Sequence, residues 1–184
     1  MINIPKIAVS ACLLGHQVRY DGREKKHSLI VDIFLSQFSD KVELVPFCPE
    51  VAVGMSVPRP KIQLVKNNNE QIQVLGVENH RLDVTIPLIS YAETFLKQYP
   101  DIKAFIVKSK SPSCGFQSTP LFEMFAEKGS FSEIRTEVSY KQIGFTSGLF
   151  VQSLRALKPE LPIIEELQLS TEDACLKFIQ TLEN

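Results

Sequence analysis

The sequence predicts an α/β fold built on a mostly parallel sheet with helices on both faces. Two observations carry this expectation. Short apolar runs bounded by turn residues alternate with stretches of helical periodicity, and right-handed strand–helix–strand crossovers place helices on both sides of a parallel sheet. The second observation is compositional: 184 residues, 44% hydrophobic and 22% charged, have the profile of one soluble globular domain. No repeat, linker or low-complexity segment interrupts the chain, so a single domain over residues 1–184 is expected.

Each element follows in order. Lys6 to Ala11 is a short apolar run between Pro5 and Gly15, and Val42 to Phe47 is a second between Asp40 and Pro49; both suit buried strands. Between them, His27 to Phe38 places Leu29, Ile30, Ile33, Phe34 and Phe38 at helical spacing, which makes the opening a βαβ unit. Ile62 to Val65 and Gln71 to Val77 flank the polar cluster Lys66-Asn67-Asn68-Asn69-Glu70. They read as a β-hairpin excursion around residues 62–77, added to the edge of the sheet. Asp83 suits the N-cap of a helix reaching about Tyr99, with Ile86, Ile89, Ala92, Phe95 and Leu96 on one face and Pro87 in the first turn. Ala104 to Val107 is the next strand, followed by the turn-rich loop Lys108 to Gly115. Thr146 to Leu157 and Thr171 to Leu182 read as two further helices, joined through Leu161-Pro162-Ile163-Ile164 as a last short strand. The architecture is Rossmann-like. No G-x-G-x-x-G follows the first strand and no G-x-x-x-x-G-K-[ST] occurs, so dinucleotide and P-loop readings lack their phosphate-cradling glycines.

Twenty Lys plus Arg stand against 21 Asp plus Glu, a net charge of -1. This balance disfavours long nucleic acids as partners and makes any charge-based recognition local. No run approaches the roughly 18 apolar residues of a membrane span. Val9-Ser10-Ala11-Cys12 looks like a lipoprotein cleavage site, but only Ile7, Ala8 and Val9 precede it, against about 7 to 15 apolar residues in a signal peptide. That start reads as a strand, and the expected compartment is a reducing cytoplasm, where cysteines more often bind metal or do chemistry than form disulfides.

A chain this long removes roughly 70% of its unfolded surface from water, so its four cysteines are not needed as staples. Cys12 lies just past the first strand, Cys48 just past the second, and Cys114 a few residues beyond the third core strand. In an open parallel sheet the carboxyl ends of the strands share one edge, where ligand crevices form. Two readings stay open for these three: convergence on one thiolate site, or small thiols that fill strand-end positions. Cys175 shares an amphipathic face with Ala174, Phe178, Ile179 and Leu182 and reads as core packing. Convergent soft ligands select zinc, copper(I) or an iron-sulfur cluster. A structural zinc wants a fourth group, for which His16, His27, His80 or Glu50 are the candidates. A three-cysteine 4Fe-4S cage leaves one iron open.

Glu50, in Cys48-Pro49-Glu50, is either a general acid or base in that crevice or an N-cap or surface salt bridge. Ser109, Ser111 and Ser113 either bind substrate or satisfy the turn, and Pro112 stiffens the chain between Ser111 and Cys114. Arg19, Tyr20, Asp21 and Arg23 follow the first cysteine loop and Arg59-Pro60-Lys61 the second. With Lys108 and Lys110 they make a candidate electropositive rim suited to a polar planar or anionic substrate, each charge being open to the plainer reading of a solvated surface group. Asp83-Val84-Thr85 reads as a helix start, with Thr85 within possible reach of the crevice.

Taken together, Ser10-Ala11-Cys12-Leu13-Leu14-Gly15 with Val18-Arg19-Tyr20-Asp21-Gly22, Cys48-Pro49-Glu50-Val51 with Gly54 and Pro58-Arg59-Pro60, Asp83-Val84-Thr85, and Lys108 to Gly115 resemble a bacterial family long known only as a domain of unknown function, which includes the iron-sulfur-dependent thiouracil desulfidases. The resemblance covers roughly residues 5 to 116. It implies a Rossmann-like domain in which Cys12, Cys48 and Cys114 hold a 4Fe-4S cluster; thiol chemistry adds that an aerobic preparation can lose such a cluster or carry zinc in its place. It also implies that Glu50 is the catalytic acid/base and Ser111 a second catalytic or positioning group; Arg19, Tyr20, Arg59, Lys108 and Ser109 are the substrate rim that the residues themselves suggest. The implied reaction is non-redox removal of sulfur from a small thiolated substrate such as a thiolated uracil, with release of sulfide. The segment after Phe116 departs from short members of the family, and Gly148-Leu149-Phe150 with Leu161-Pro162 and Glu165-Glu166 look more like the domain in longer, fused chains. Two other classes stand beside this reading: a zinc- or cluster-binding protein for sulfur delivery or sensing, and a thionucleotide-binding module without catalysis. Metal analysis of anaerobic protein and turnover of a thioamide separate the three.

Overall fold

The structure is a computed structural model that describes residues 4–126 and 138–182. In chain order its strands are β1 (Lys6–Ser10), β2 (Glu43–Phe47), β3 (Ile62–Lys66), β4 (Ile72–Gly76), β5 (Ile102–Val107), β6 (Thr119–Ala126), β7 (Val138–Thr146) and β8 (Ile163–Glu165). Its α-helices are α1 (Pro49–Ala52), α2 (Thr85–Gln98), α3 (Leu149–Leu157) and α4 (Glu172–Gln180).

The apolar runs of β1 and β5 have no polar face, so they require cover on both sides. They receive it at the centre of a parallel sheet of order β2-β1-β5-β8. Ile7, Val9, Ala104 and Ile106 point to one face, against the helical segment Ile30–Gln37 and Cys175, Phe178 and Ile179 of α4. Ala8, Phe105 and Val107 point to the other, against Ala92 and Phe95 of α2 and Phe150, Val151 and Leu154 of α3. The expected parallel sheet with helices on both faces is therefore present. Thr171 caps α4, its Oγ1 accepting from the Ala174 amide (3.2 Å), while Asp83 Oδ1 accepts from the Thr85 amide (2.8 Å) where α2 begins. The segment expected as an ordinary helix over His27–Phe38 is wound wide over Ile30–Gln37, the Phe38 amide reaching the Ile33 carbonyl five residues back.

The hairpin at residues 62–77 is β3 with β4, paired from Ile62↔Gly76 to Lys66↔Ile72. It does not extend the parallel sheet: it joins β6 and β7 in a second sheet of order β4-β3-β6-β7, with β3 and β6 parallel. Ile62, Leu64 and Val74 of that sheet pack on Leu88 of α2 and Leu149 of α3, so these two helices are sandwiched between the sheets. Strands β6 and β7 are not anticipated by the periodicity. Both are half-exposed, β6 carries a proline, and β6 finds its parallel partner more than fifty residues away. Because β7 runs to Thr146, α3 starts later than the helical pattern implies, at Leu149.

Phe47, at the end of β2, sits in an aromatic knot, with ring centroids 5.6 Å from Phe95, 5.6 Å from Phe105 and 5.5 Å from Phe150. This anchors the strand end that leads into Cys48. Phe105 is wholly buried at the centre of the knot. Truncating it, Phe105→Ala, removes the contacts and leaves a cavity; a loss of about 3–5 kcal/mol in urea denaturation is expected.

Candidate active site

Counting only the strands of the parallel sheet, the chain order first, second, third, fourth lies in space as second, first, third, fourth. The connection from β1 goes one way to β2, and the chain later returns to the other side of β1 as β5. The carboxyl ends of β1 and β5 are thus the point where chain direction across the sheet reverses, and there the loops splay and leave a crevice. The crevice is a cavity of about 340 Å³.

Cys12 enters it from the tight turn Ala11–Leu14, which directly follows β1. Its carbonyl accepts from the Lys25 amide (2.9 Å), tying down the long loop beyond. Cys48 follows β2 in extended conformation and precedes Pro49 at the first position of α1, where the missing proline N–H costs nothing. Glu50, in that first turn, is buried. Its Oε2 accepts from Arg59 Nε (2.7 Å) and its Oε1 from Ser113 Oγ (2.8 Å). Cys114 belongs to the loop after β5. Ser10 Oγ, at the end of β1, accepts from the Lys108 amide (3.0 Å) and donates to Cys114 Sγ (3.4 Å), which stitches the first and third thiol loops together. Two close approaches hold the third loop: a Cβ on Gly148 would lie 2.5 Å from the Ser113 carbonyl, and one on Gly115 would lie 2.4 Å from Thr119 Oγ1.

Burial pushes the Cys12 thiol up to about 12, and Cys114 and Cys48 push in the same direction. Burial likewise raises Cys48 to about 11, partly opposed by the Val51 N–H, while Glu50 and Cys114 add to the rise. Cys114 is raised by burial against the opposing hydroxyls of Ser10 and Ser111. Cys12 therefore feels both other thiols, and Cys48 feels Cys114, across a desolvated space. Among the described residues no three His, Cys, Asp or Glu side chains are gathered closely enough to hold a metal ion.

Cys12, Cys48, Cys114, Glu50, Ser111, Arg19, Tyr20, Arg59, Lys108 and Ser109 all line this cavity. Thr85 does not; its hydroxyl accepts from the Val74 amide (2.9 Å) and joins α2 to the second sheet. None of the three histidines lines it either, His80 being paired with Tyr140 (2.7 Å) on the second sheet. Cys175 is fully buried in the core beside Phe178. The rim carries less free positive charge than the sequence implies. Arg59 is bound to Glu50, Lys108 Nζ to Glu166 (2.5 Å), and Arg19 to Asp21 (3.4 Å). Lys61 is not on the wall; it lies over the Tyr20 ring, 5.4 Å from the centroid.

Two residues of the site, Lys25 and Glu166, escape a reading of the sequence, and so does the link made by Ser113, itself already a candidate for binding substrate or satisfying the turn. Ser113 is 1% exposed and links Glu50 to Ser111, its Oγ lying 3.1 Å from Ser111 Oγ. Lys25 lines the cavity from the loop after Cys12. Glu166 holds Lys108 and Ser109 from the end of β8. A carboxylate at the carboxyl end of a core strand was a usable signal for Glu166; the other two depend on where loops fold back.

Fold and site together define a doubly wound α/β protein with a thiol-lined ligand crevice at its switch point, the architecture of an enzyme that acts on a small molecule. Residues 7–166 match the 2-thiouracil desulfurase family, and the chain belongs to that family: it is a C–S-bond-cleaving desulfidase. Among solved structures, that of the 4Fe-4S-dependent thiouracil desulfidase TudS superposes with a TM-score of 0.62 at 29% identity, covering 95% of this chain and 99% of its own. Uncharacterized protein YbbK of Bacillus subtilis (strain 168) is 29% identical over 116 residues, spanning 59% of this chain and 72% of the relative. Among the described residues no helix is long and apolar enough to cross a membrane.

The Glu166 carboxyl is held below the ordinary glutamate value. Burial by itself would raise it, but hydrogen bonds from Lys108, Ser109 Oγ and the Ser109 amide outweigh burial. Its folded value being lower than its unfolded one, it contributes stability that is present above the unfolded value and lost as pH falls through the folded one. Urea unfolding should show stability dropping as pH is lowered past the ordinary value of 4.5, and a flatter profile in Glu166→Gln over the same range.

Proposed function

We propose that Cys12, Cys48 and Cys114 hold a 4Fe-4S cluster and that the whole chain, acting as one domain, uses it to remove sulfur from a small thiolated pyrimidine such as a thiouracil. One observation carries the reading: three thiols from three strand ends line a single cavity together with a buried carboxylate and a hydroxyl pair. The donor set fits. Soft sulfur ligands select clusters, and three of them line one cavity. The 4Fe-4S dependence carried in the name of TudS supports the same reading.

Such a cluster, when bound by three cysteines, supplies an iron with no protein ligand and hence Lewis-acid chemistry toward sulfur. The chain's own residues do the rest. In the net reaction water adds its oxygen to the thiocarbonyl carbon as the C–S bond breaks, and both water protons leave with the sulfur as hydrogen sulfide, so no electrons are exchanged. Glu50 is the proton store. Its Oε1 is one hydrogen bond from Ser113 Oγ and Ser113 is one from Ser111 Oγ, so a proton released at Ser111 passes to Glu50 and returns along the same path to the departing sulfur. Arg59 fixes the other carboxylate oxygen and keeps Glu50 aimed at Ser113. Tyr20, with the Arg19 guanidinium 5.6 Å from its ring centroid, offers a flat wall at the mouth that suits a planar base.

Anaerobically reconstituted protein should convert a thiolated uracil to uracil and sulfide, with iron and sulfide bound to the chain. Cys12→Ala should lose both iron and turnover; wild-type turnover in that variant overturns the cluster reading. Glu50→Gln should retain iron yet lose about 10²–10⁴-fold in turnover, the range for a displaced general acid–base. An unchanged rate would remove Glu50 from the reaction.

A further inference from the structure

A buried loop has to find partners for its backbone groups outside itself. The segment from Lys108 to Ser118, which carries Cys114, does so in a divided way. Its carbonyls go to the start of α3: the Gly148, Leu149 and Phe150 amides donate to Gly115, Pro112 and Ser113 (2.8, 3.0 and 3.0 Å). Five of its donors go to two adjacent carboxylates at the end of β8, while the Lys108 amide goes to Ser10 Oγ, Ser113 Oγ to Glu50 and the Gln117 amide to Ser147 Oγ. Glu166, 5% exposed, accepts from the Ser109 amide (2.7 Å), Ser109 Oγ (2.7 Å) and Lys108 Nζ (2.5 Å). Glu165, 7% exposed, accepts from the Phe116 amide (2.7 Å) and Ser118 Oγ (2.5 Å), and Ser118 Oγ in turn accepts from the Lys110 amide (2.7 Å).

Each carboxylate thus grips one limb of the loop, Glu166 before Cys114 and Glu165 after it. Each limb also contains a non-glycine residue in left-handed conformation, Lys110 (φ 61°) and Gln117 (φ 63°). Such conformations persist where surrounding contacts over-determine them. Glu165 ends β8 and Glu166 follows it directly, and the pairing of β8 with β5 (Val107↔Glu165) brings them beside the strand from which the loop departs.

We propose that Glu165 and Glu166 are positioning residues for the third thiol: by clamping both limbs of the Lys108–Ser118 loop they set where Cys114 sits on the cavity wall. The importance of that placement for cluster binding rests on the reading of Cys114 as a ligand; the clamp itself does not.

The test is made first on metal-free, reduced full-length protein, by residue-resolved alkylation with iodoacetamide read by mass spectrometry. Glu165→Gln should raise the Cys114 rate about tenfold or more, the change in local opening expected when charge-assisted hydrogen bonds are weakened, with Cys12 and Cys48 unchanged. Glu166→Gln should act in the same direction, and Ser118→Ala, a milder change should the carboxylate variants fold poorly, should give a smaller rise. Adding Gln117→Gly to Glu165→Gln should restore protection of Cys114, because glycine adopts the left-handed conformation without strain. Cys114 rates that stay at the wild-type level, or rates that rise equally at all three thiols, overturn the proposal. Iron per chain after anaerobic reconstitution is then compared: wild type that binds iron, with variants that bind less, supports the link from clamp to cluster. If wild type binds no iron while Cys114 alone is deprotected in the variants, the cluster reading fails and the clamp stands.

Discussion

The parallel pairing of β1 with β5 is the constraint on which the site depends. It puts two loops that are about a hundred residues apart in sequence at the same edge, one carrying Cys12 and the other Cys114. Ser10 turns that adjacency into a bond, its hydroxyl receiving the Lys108 amide and reaching the Cys114 sulfur. The second thiol follows from the other flank of β1, since β2 is its parallel neighbour in register from Lys6↔Glu43 to Ser10↔Phe47. Three consecutive strands thus end at similar height, and the thiols just beyond them share a cavity without any local cysteine motif.

The site is built against the preference of its own charges. Burial raises every one of the three thiols, and a buried carboxylate stands among them. Desolvating an ion costs several kcal/mol, and an ion pair repays it only with good geometry and further hydrogen bonds. Both buried pairs meet that condition. Glu50 has a partner on each oxygen, and Glu166 collects three donors, so each carboxylate is oriented as well as balanced. The same pairing takes Arg59 and Lys108 out of the pool of free cations at the rim. What remains is a cavity whose polarity is directional, suited to a small polar ligand more than to an extended anion.

The strand-end positions of Cys12, Cys48 and Cys114, the helical face around Cys175 and most of the doubly wound core were legible because each depends on local periodicity. Val9 and Ile106 face one helical layer and Ala8 and Phe105 the other, and such two-sided burial is visible as an unbroken apolar run. Strands β6 and β7 were not legible in this way. Their pattern is half-exposed, and β6, paired along its length with β7, joins β3 only through the long-range register Leu64↔Leu121 to Lys66↔Glu123. The hairpin at 62–77 was visible as a hairpin, but which sheet it joins is decided by β6.

What the sequence by itself determined is therefore the inventory: a neutral α/β chain, three thiols at strand ends and a carboxylate two residues from one of them. Only the tertiary structure decided which groups are joined. That Glu50 reaches Ser111 through Ser113, that Arg19, Arg59 and Lys108 of the rim are already partnered, and that Glu165 and Glu166 grip the two limbs of the Cys114 loop all follow from loops meeting across the switch point. The physical reason is range. Strand and helix preferences act over a few residues and leave a readable period, whereas hydrogen bonds between loops obey no period and exist only after the sheet has set the distance between them.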